Sequence, residues 1–217
     1  MKGFEGFKDS SEAPFYRAGA MSAEATWAEA SRRLARVLRS AVTEAQRRPG
    51  SITAERICAW HRAIFLTTFE HDAGRVRADD EPVEFGVPIE TDDELHDLPI
   101  RGTIGRSAIV HELRLACEAF NTSAAALRDR ERTVEMAEGV EPAAALYTAI
   151  LKTHPFVDGN LRAAYVALIV GLASVGLPAV DFRAMLDRHD ECLGSAMRSD
   201  ARQTIDPLVQ LIVELMS

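Results

Sequence analysis

The stretch that decides the fold is Leu151-Lys-Thr-His-Pro-Phe-Val-Asp-Gly-Asn-Leu-Arg162, followed by 18 uncharged residues from Ala163 to Val180. A membrane span needs about 20 mostly apolar residues. The uncharged run contains Gly171, and Gly176 and Pro178 near its end are typical of a helix terminus. We therefore predict a central helix that is buried on all sides, rather than one that crosses a membrane.

Apolar residues recur at helical spacing through most of the chain, which predicts an all-α fold. Thr53 and Asp181 are expected to cap two of the helices. Glu141-Pro142 and Asp206-Pro207 are expected to open two more, because proline suits the first helical turn. We divide the chain into a helical N-terminal arm at residues 1–50, a candidate regulatory segment, and a core at residues 51–217.

One segment differs in composition from the rest. Residues 78–100 contain nine acidic residues and no Lys or Arg, so they contribute −9, while the rest of the chain sums to +1 and the net charge is −8. Within them, Pro82 to Pro88 alternates apolar and polar residues, which predicts a short exposed strand or hairpin. The acidic balance argues against binding to nucleic acid or to an anionic membrane surface. It does not exclude a nucleotide, because one phosphate site needs only local donors.

The three cysteines are far apart and show no metal-ligand spacing, which indicates free thiols in a reducing compartment. Residues Met1 to Ser11 are polar and lack the apolar core of a secretory signal. We therefore expect a cytoplasmic protein, or one delivered from the cytoplasm as an effector without a visible secretory signal. The sequence leaves the oligomeric state open.

The segment from His154 to Arg162 has the chemistry of a phosphate site. Gly159 can adopt a positive φ, and backbone N–H groups at the start of the following helix would face an anion. Asn160 can donate a hydrogen bond, and Arg162 supplies a charged fork. Asp158 suits a phosphate-bound Mg²⁺, and His154 is the natural general base. The alternative is an ordinary turn in which Asp158 or Asn160 merely caps the helix.

This segment resembles the signature of the Fic/Doc family, His-x-Phe-x-(Asp/Glu)-Gly-Asn-Gly-Arg-x-x-Arg. The matching residues are His154, Phe156, Asp158, Gly159, Asn160 and Arg162. Trp60-His61-Arg62 and Ala73-Gly74-Arg75-Val76-Arg77 also look like family elements, and Val83 to Val87 falls where the family carries a hairpin flap. The resemblance covers roughly Thr53 to Ser217, most of the chain.

The resemblance implies a Fic-like helical bundle with one short β-hairpin flap, and the activity of a protein adenylyltransferase. AMP, or a related nucleotide-derived group, would pass from ATP to a Ser, Thr or Tyr hydroxyl of a target protein. His154 would be the general base and Asp158 would hold Mg²⁺. The implied nucleotide-binding residues are Phe156, Gly159, Asn160, Leu161 and Arg162. The flap, through Val83, Glu84 and Phe85, would dock the target by strand addition.

Two positions depart from the family pattern. Leu161 replaces the second Gly, which is costly if that position needs a positive φ. Tyr165 replaces the second Arg, which normally reaches the γ-phosphate, and a tyrosine cannot supply that charge. These departures keep two alternatives open. One is a Fic-like transferase that moves a phosphoryl group or uses another donor, and the other is a catalytically silent protein that binds a partner.

The N-terminal arm contains one candidate for an inhibitory glutamate, Glu24, in the stretch Ala20-Met-Ser-Ala-Glu-Ala25. This stretch lacks both the Ser/Thr and the Gly/Asn of the family's inhibitory motif. The alternative interpretation is that Glu24 is simply a solvated residue on a helix surface.

Overall fold

A computed structural model of the chain describes residues 23–48, 52–68, 71–77, 84–91, 94–101, 103, 105–129, 135–198 and 205–216. This part contains eight helices, so the prediction of an all-α architecture is confirmed. In chain order they are α1 (Ala23–Arg47), α2 (Ala54–Phe65), α3 (Arg106–Arg128), α4 (Met136–Thr153), α5 (Asn160–Ser174), α6 (Phe182–Asp187), α7 (His189–Arg198) and α8 (Asp206–Met216).

Two antiparallel strands lie between α2 and α3 in the chain. β1 (Glu84–Thr91) pairs with β2 (Glu94–Arg101), and the register runs from Glu84 opposite Arg101 to Thr91 opposite Glu94. All of the hairpin except Arg101 falls inside the acidic segment, residues 78–100.

The helix α5 is the centre of the molecule. Nearly every residue from Ala163 to Leu172 is fully buried, and α1, α2, α3 and α4 all contact the helix. This confirms the prediction that the uncharged stretch forms a helix surrounded by protein. No helix among the described residues is both long enough and apolar enough to cross a lipid bilayer.

The first helix is part of the same hydrophobic core. Ala30, Leu34, Ala41 and Ala45 form its buried face, and α1 contacts both α5 and α2. An ion pair between Glu44 and Arg56 adds a polar link from α1 to α2. The predicted division at residue 50, and a regulatory role for residues 1–50, stay predictions.

Two predicted helix caps are confirmed. The Thr53 hydroxyl accepts a hydrogen bond from the Arg56 N–H at 3.2 Å and so caps α2. The Asp181 carboxylate accepts from the N–H groups of Arg183 (2.8 Å) and Ala184 (3.1 Å) and caps α6. The single helix expected after Asp181 is divided into α6 and α7 at Arg188, whose backbone is not helical.

The predicted start of the fourth helix at Glu141-Pro142 is wrong. The helix begins at Met136, and the Gly139 N–H already donates to the Glu135 carbonyl at 3.0 Å. Pro142 therefore lies inside α4, where it removes one backbone donor, a cost of about 3 kcal/mol or more in a helix interior. Burial of the surrounding face, including Val140 and Ala143, opposes that cost. The prediction for Asp206-Pro207 is confirmed, since α8 starts there.

Because α5 is enclosed on all sides, truncating one of its side chains should leave a cavity. Leu168 is fully buried, and we expect Leu168→Ala to lower the free energy of unfolding by about 2–5 kcal/mol. The matched control is Leu115→Ala on α3, where the leucine is 50% exposed, and it should change stability by less than about 0.5 kcal/mol. Urea unfolding measures both, and equal losses would contradict the central position of α5.

Candidate active site

The predicted site residues lie in the loop that joins α4 to α5. The helix α4 ends with His154 in the left-handed conformation (φ 48°), and the His154 N–H donates to the Ile150 carbonyl at 3.0 Å. The helix α5 starts after Gly159, which also has a positive φ of 79°. The chain thus turns back within six residues, with a histidine at one end and a helix N-terminus at the other.

The N-terminus of α5 has the features of an anion site. Gly159 is the N-cap residue and provides no side-chain hydrogen bond, so the first-turn N–H groups are not capped by a side chain. The first bond of the helix runs from the Ala163 N–H to the Gly159 carbonyl at 3.1 Å. Such a terminus combines exposed donors with the positive end of the helix dipole. Phosphate binding at this position stays a prediction.

Asn160 holds the loop closed through its side chain. Its Oδ1 accepts from the Phe156 N–H at 2.9 Å, and its Nδ2 donates to the Phe156 carbonyl at 2.8 Å. Both residues are buried, and Phe156 is completely so. The structure therefore gives Phe156 and the Asn160 side chain an anchoring role. The Phe156 side chain has no exposed surface for the nucleotide contact that the sequence predicted. Asn160 faces the predicted anion site with its backbone N–H.

Asp158 and Arg162 form the charged part of the site. The Asp158 carboxylate accepts a hydrogen bond from the Gly159 N–H at 2.5 Å. Loss of water around the carboxyl where it contacts the protein raises its pKa, while the hydrogen bond from the Gly159 N–H and the charge of Arg162 lower it. Burial likewise lowers the pKa of Arg162, and Asp158 opposes that effect. A guanidinium stays charged in spite of such a shift, so the two side chains carry opposite charges beside the helix terminus.

His154 is a neutral imidazole at physiological pH. Burial and the nearby charge of Arg77 lower its pKa to about 4, although a hydrogen bond to the Leu151 backbone acts in the opposite direction. A neutral ring that donates from one nitrogen keeps a lone pair on the other nitrogen. The side chain is therefore already in the protonation state that a general base requires.

His61 is a site residue to which the sequence assigned no role in the chemistry. Its Nδ1 accepts a hydrogen bond from the Gly74 N–H at 2.9 Å, so the proton of the neutral ring must be on Nε2. The Nε2 lies 2.8 Å from the Asp158 carbonyl and donates to it. The ring also stacks on Phe156 with the centroids 3.8 Å apart. The signals in the sequence were a histidine at an apolar position of α2, beside Ile57 and Phe65, and the likeness of Trp60-His61-Arg62 to a family element.

Arg77 is a second residue that sequence reasoning did not assign. It is buried, and its Nε donates to the His154 carbonyl at 2.5 Å. It lies 77 positions before His154, so no local pattern could have connected the two residues.

The two departures from the family signature lie on one face of α5. Leu161 is in the first turn of the helix with helical backbone angles, so the strain expected of a leucine with positive φ does not arise. The Tyr165 hydroxyl donates to the Val180 carbonyl at 2.7 Å, and its ring lies 4.5 Å from that of Phe182. Both residues line a small cavity of about 10 Å³. Tyr165 is thus a packed core residue.

The remaining predicted residues lie elsewhere in the chain. Val83 lies outside the described residues, while Glu84 and Phe85 belong to β1, where they face Arg101 and Ile100 in the register. Glu24 is in the first turn of α1, and its side chain lies outside the described part. The roles of the flap in docking and of Glu24 in regulation stay predictions.

Within the described residues, no group of three His, Cys, Asp or Glu side chains could hold a metal by itself. The Asp158 carboxylate lies beside the α5 terminus, where it accepts from the Gly159 N–H. A metal at this position would therefore depend on ligands from a bound substrate.

Gly159 should be intolerant of a side chain for a steric reason as well as a conformational one. A Cβ there would lie 2.3 Å from the Phe65 ring and 3.0 Å from the His61 Nε2. Gly176 is the matched control, because it has a similar φ of 83° but no heavy atom within 4 Å of such a Cβ. We expect Gly176→Ala to cost about 1 kcal/mol of unfolding free energy and Gly159→Ala about 1–3 kcal/mol more. Equal losses in urea unfolding would show that the contact with Phe65 is unimportant.

Acid should destabilise the fold through His61. Burial lowers its pKa from 6.5 to about 4, so between these values the unfolded chain binds a proton that the folded chain excludes. The neutral ring contributes its full stabilisation above the pKa of the unfolded chain. This contribution to the free energy of unfolding falls by about 3 kcal/mol as the pH drops toward 4. Urea unfolding at several pH values should show a weaker pH dependence for His61→Gln than for the wild type. His111→Gln, at an exposed position of α3, is the control and should keep the wild-type dependence.

Solved structures with a similar fold come from bacteria and from an animal. Fic-1 (aa134–508) from C. elegans has a TM-score of 0.63 and 17% identity, over 95% of this chain and 53% of that one. This chain therefore spans about half the length of that protein. BepC from Bartonella tribocorum, with bound AMPPNP, has a TM-score of 0.58 and 18% identity, over 91% and 89% of the two chains. The N-terminal Fic domain of a Bartonella quintana effector, with bound ADP, has a TM-score of 0.61 and 20% identity, over 91% and 87%.

At these identities the likeness to solved structures establishes the fold alone. No curated protein sequence matches the chain. A family model described as "Fic/DOC family" matches residues 51–172, which is more than half of the chain and includes the whole loop from His154 to Gly159. The chain therefore belongs to the Fic/DOC family.

Proposed function

We propose that the chain transfers AMP, or a related nucleotide-derived group, from ATP to a Ser, Thr or Tyr hydroxyl of a target protein. Members of the family generally transfer nucleotide-derived groups to proteins. One observation carries the proposal for this chain: a neutral histidine and an uncapped helix N-terminus lie at the two ends of one six-residue loop. This arrangement supplies a base and an anion site within reach of the same substrate.

In the proposed reaction, His154 removes the proton from the target hydroxyl. The hydroxyl oxygen forms a bond to the α-phosphorus, the bond from that phosphorus to the β-bridging oxygen breaks, and pyrophosphate leaves. The proton stays on the imidazole until it is released to solvent. The hydrogen bond to the Leu151 backbone fixes the orientation of the ring during this transfer.

Negative charge on the phosphates would be stabilised by donors that are already in position. The backbone N–H groups of Asn160 and Leu161 are at the start of α5, and the Arg162 guanidinium is beside them. Donors that need no rearrangement stabilise developing charge more effectively than water does. We assign the α-phosphate to the helix terminus and the β-phosphate to Arg162.

The residues present fit a magnesium ion that arrives with the nucleotide. Mg²⁺ is usually held by one or two carboxylates together with substrate phosphates and water. Asp158 is one carboxylate next to the proposed phosphate site, and its second oxygen could serve as that ligand while the first accepts from Gly159. The ion would neutralise charge between the α- and β-phosphates.

Two similar structures support a nucleotide as the donor, since BepC contains AMPPNP and the Bartonella quintana domain contains ADP. The target would dock on the hairpin. An extended segment can add to a strand through backbone hydrogen bonds alone, which fixes its register without demanding a particular sequence. The acidic composition of residues 78–100 favours a target with basic residues near the modified hydroxyl.

A second candidate is transfer from another donor, or transfer of a phosphoryl group. The observation that favours it is the position of Tyr165, whose hydroxyl is already bonded to the Val180 carbonyl inside the core. A buried tyrosine offers no positive charge to a γ-phosphate, so recognition of the donor would end at the β-phosphate. A donor with a different group beyond that position would then compete with ATP.

The test uses purified protein with Mg²⁺, a mixture of candidate targets, and ATP labelled on either the α- or the γ-phosphorus. We expect label on protein from α-labelled ATP only, and a rate at least about 100-fold lower for His154→Ala, because general base catalysis contributes that much or more. His111→Ala, at an exposed position, is the control and should label at the wild-type rate.

Labelling that survives His154→Ala would refute the role of the base. Label from γ-labelled ATP would favour the phosphoryl transferase. If calorimetry showed no nucleotide binding in the presence of Mg²⁺, a catalytically silent partner-binding protein would be the better account.

A further inference from the structure

Arg77 is a buried cation that lies outside the sequence motif. Its side chain is 3% exposed, in the segment between α2 and the hairpin. A buried guanidinium is costly unless its N–H groups are satisfied. Among the described residues, three carbonyl oxygens accept from its side chain: Nε donates to His154 at 2.5 Å, and Nη2 donates to Thr103 at 2.6 Å and to Thr153 at 3.2 Å.

Two of these carbonyls belong to the C-terminal end of α4. The last carbonyls of a helix have no partner inside the helix, and they form the negative end of its dipole. The Arg77 fork therefore satisfies the end of α4 at Thr153 and His154. The Arg77 backbone N–H also donates to the Pro155 carbonyl at 3.0 Å. One residue thus binds three successive carbonyls and holds His154 in its left-handed conformation.

The bond to the Thr103 carbonyl connects the Arg77 side chain to the hairpin. Arg77 lies seven residues before β1 begins, and Thr103 lies two residues after β2 ends. The Arg77–Thr103 hydrogen bond therefore joins the chain that enters the hairpin to the chain that leaves it. A bond from the Arg106 Nε to the Arg77 carbonyl, at 3.4 Å, adds the first turn of α3 to the same junction.

We propose that Arg77 is a positioning residue that holds the imidazole of His154 and the base of the hairpin in one fixed relation. This rests on the proposed function, in which the hairpin docks the target and His154 deprotonates it. A target segment on the hairpin is then presented to the base at a distance that the Arg77 fork sets. Misplacement of a reacting group by about 1 Å can cost a factor of about 100 in rate.

The charge of Arg77 supports the same assignment. It is one of the two effects that lower the pKa of His154, the larger being burial. The backbone carbonyl of His154 accepts from this buried cation, and the positive charge nearby keeps the imidazole neutral, with a lone pair that can accept a proton. Arg77 therefore acts on both the place and the protonation of His154 without contact with the substrate.

The test compares Arg77→Lys, Arg77→Met and the control Arg75→Met in the full chain. Lysine keeps the charge but cannot reproduce the planar fork, while methionine keeps the length of the side chain and loses the charge. Arg75 is on the same segment but is exposed. The four readouts are the labelling rate at saturating ATP, the dissociation constant of ATP in Mg²⁺, amide hydrogen exchange in β1 and β2, and the pKa of His154 from NMR titration.

We expect both Arg77 variants to lower the labelling rate 10- to 100-fold and to leave the dissociation constant of ATP within threefold of wild type. Exchange of hairpin amides near Glu84 and Arg101 should become at least tenfold faster, because the closing bond to Thr103 is lost or weakened. NMR titration should show a higher pKa of His154 in Arg77→Met than in Arg77→Lys. Arg75→Met should match wild type in every measurement.

The proposal is overturned if Arg77→Lys keeps both the wild-type rate and the wild-type exchange at the hairpin base. It is also overturned if the rate and the affinity for ATP fall together, because Arg77 would then support the nucleotide site. If Arg77→Met does not fold, Arg77→Lys alone decides between these outcomes. If wild type labels no protein, the proposed function fails, while the exchange and titration data still decide whether Arg77 holds the two elements together.

Discussion

The double hydrogen bond between the Asn160 side chain and the backbone of Phe156 is the interaction on which the candidate site depends. It closes the turn between two buried helices, and so it places the Phe156 ring against His61. The stacked His61 in turn donates to the Asp158 carbonyl, which leads directly into the left-handed Gly159 and the start of α5. The anion site therefore owes its shape to buried side chains that never need to touch a ligand.

The electrostatic design keeps the base neutral and the phosphate end charged. His154 and His61 both have pKa values lowered by burial, so both rings are neutral at physiological pH. Positive charge is supplied instead by Arg162 and by the helix terminus, which do not change with pH. Proton acceptance and anion binding are thus assigned to different groups.

The sequence predicted those features that depend on neighbouring residues. The buried α5 follows from an uncharged stretch with terminators, and the caps at Thr53 and Asp181 follow from local hydrogen bonding. The start of α4 was missed because the proline signal at Pro142 is a local preference, which burial of the helix face overrode. His61 was interpreted as a structural residue under the base of the flap and Arg77 was given no role, and the contacts of both were missed for a different reason. Their partners lie 97 and 77 positions away in the chain, so the contacts exist only once the helices have packed.

The position of Tyr165 has a consequence for the evolution of the site. Its hydroxyl ties α5 to the Val180 carbonyl, one residue before the cap of α6, and its ring belongs to the core. An arginine at this position would lose the hydrogen bond to Val180 and the ring contact with Phe182, and it would carry its charge into a mostly apolar part of the core, near the carboxylate of Asp181. A single substitution therefore cannot restore the family's second arginine without loss of the packing around it. The replacement of the family's second arginine by Tyr165 is therefore stabilised by the hydrophobic core. A return to arginine would need coordinated changes in α5, in Phe182 and in the segment that joins them.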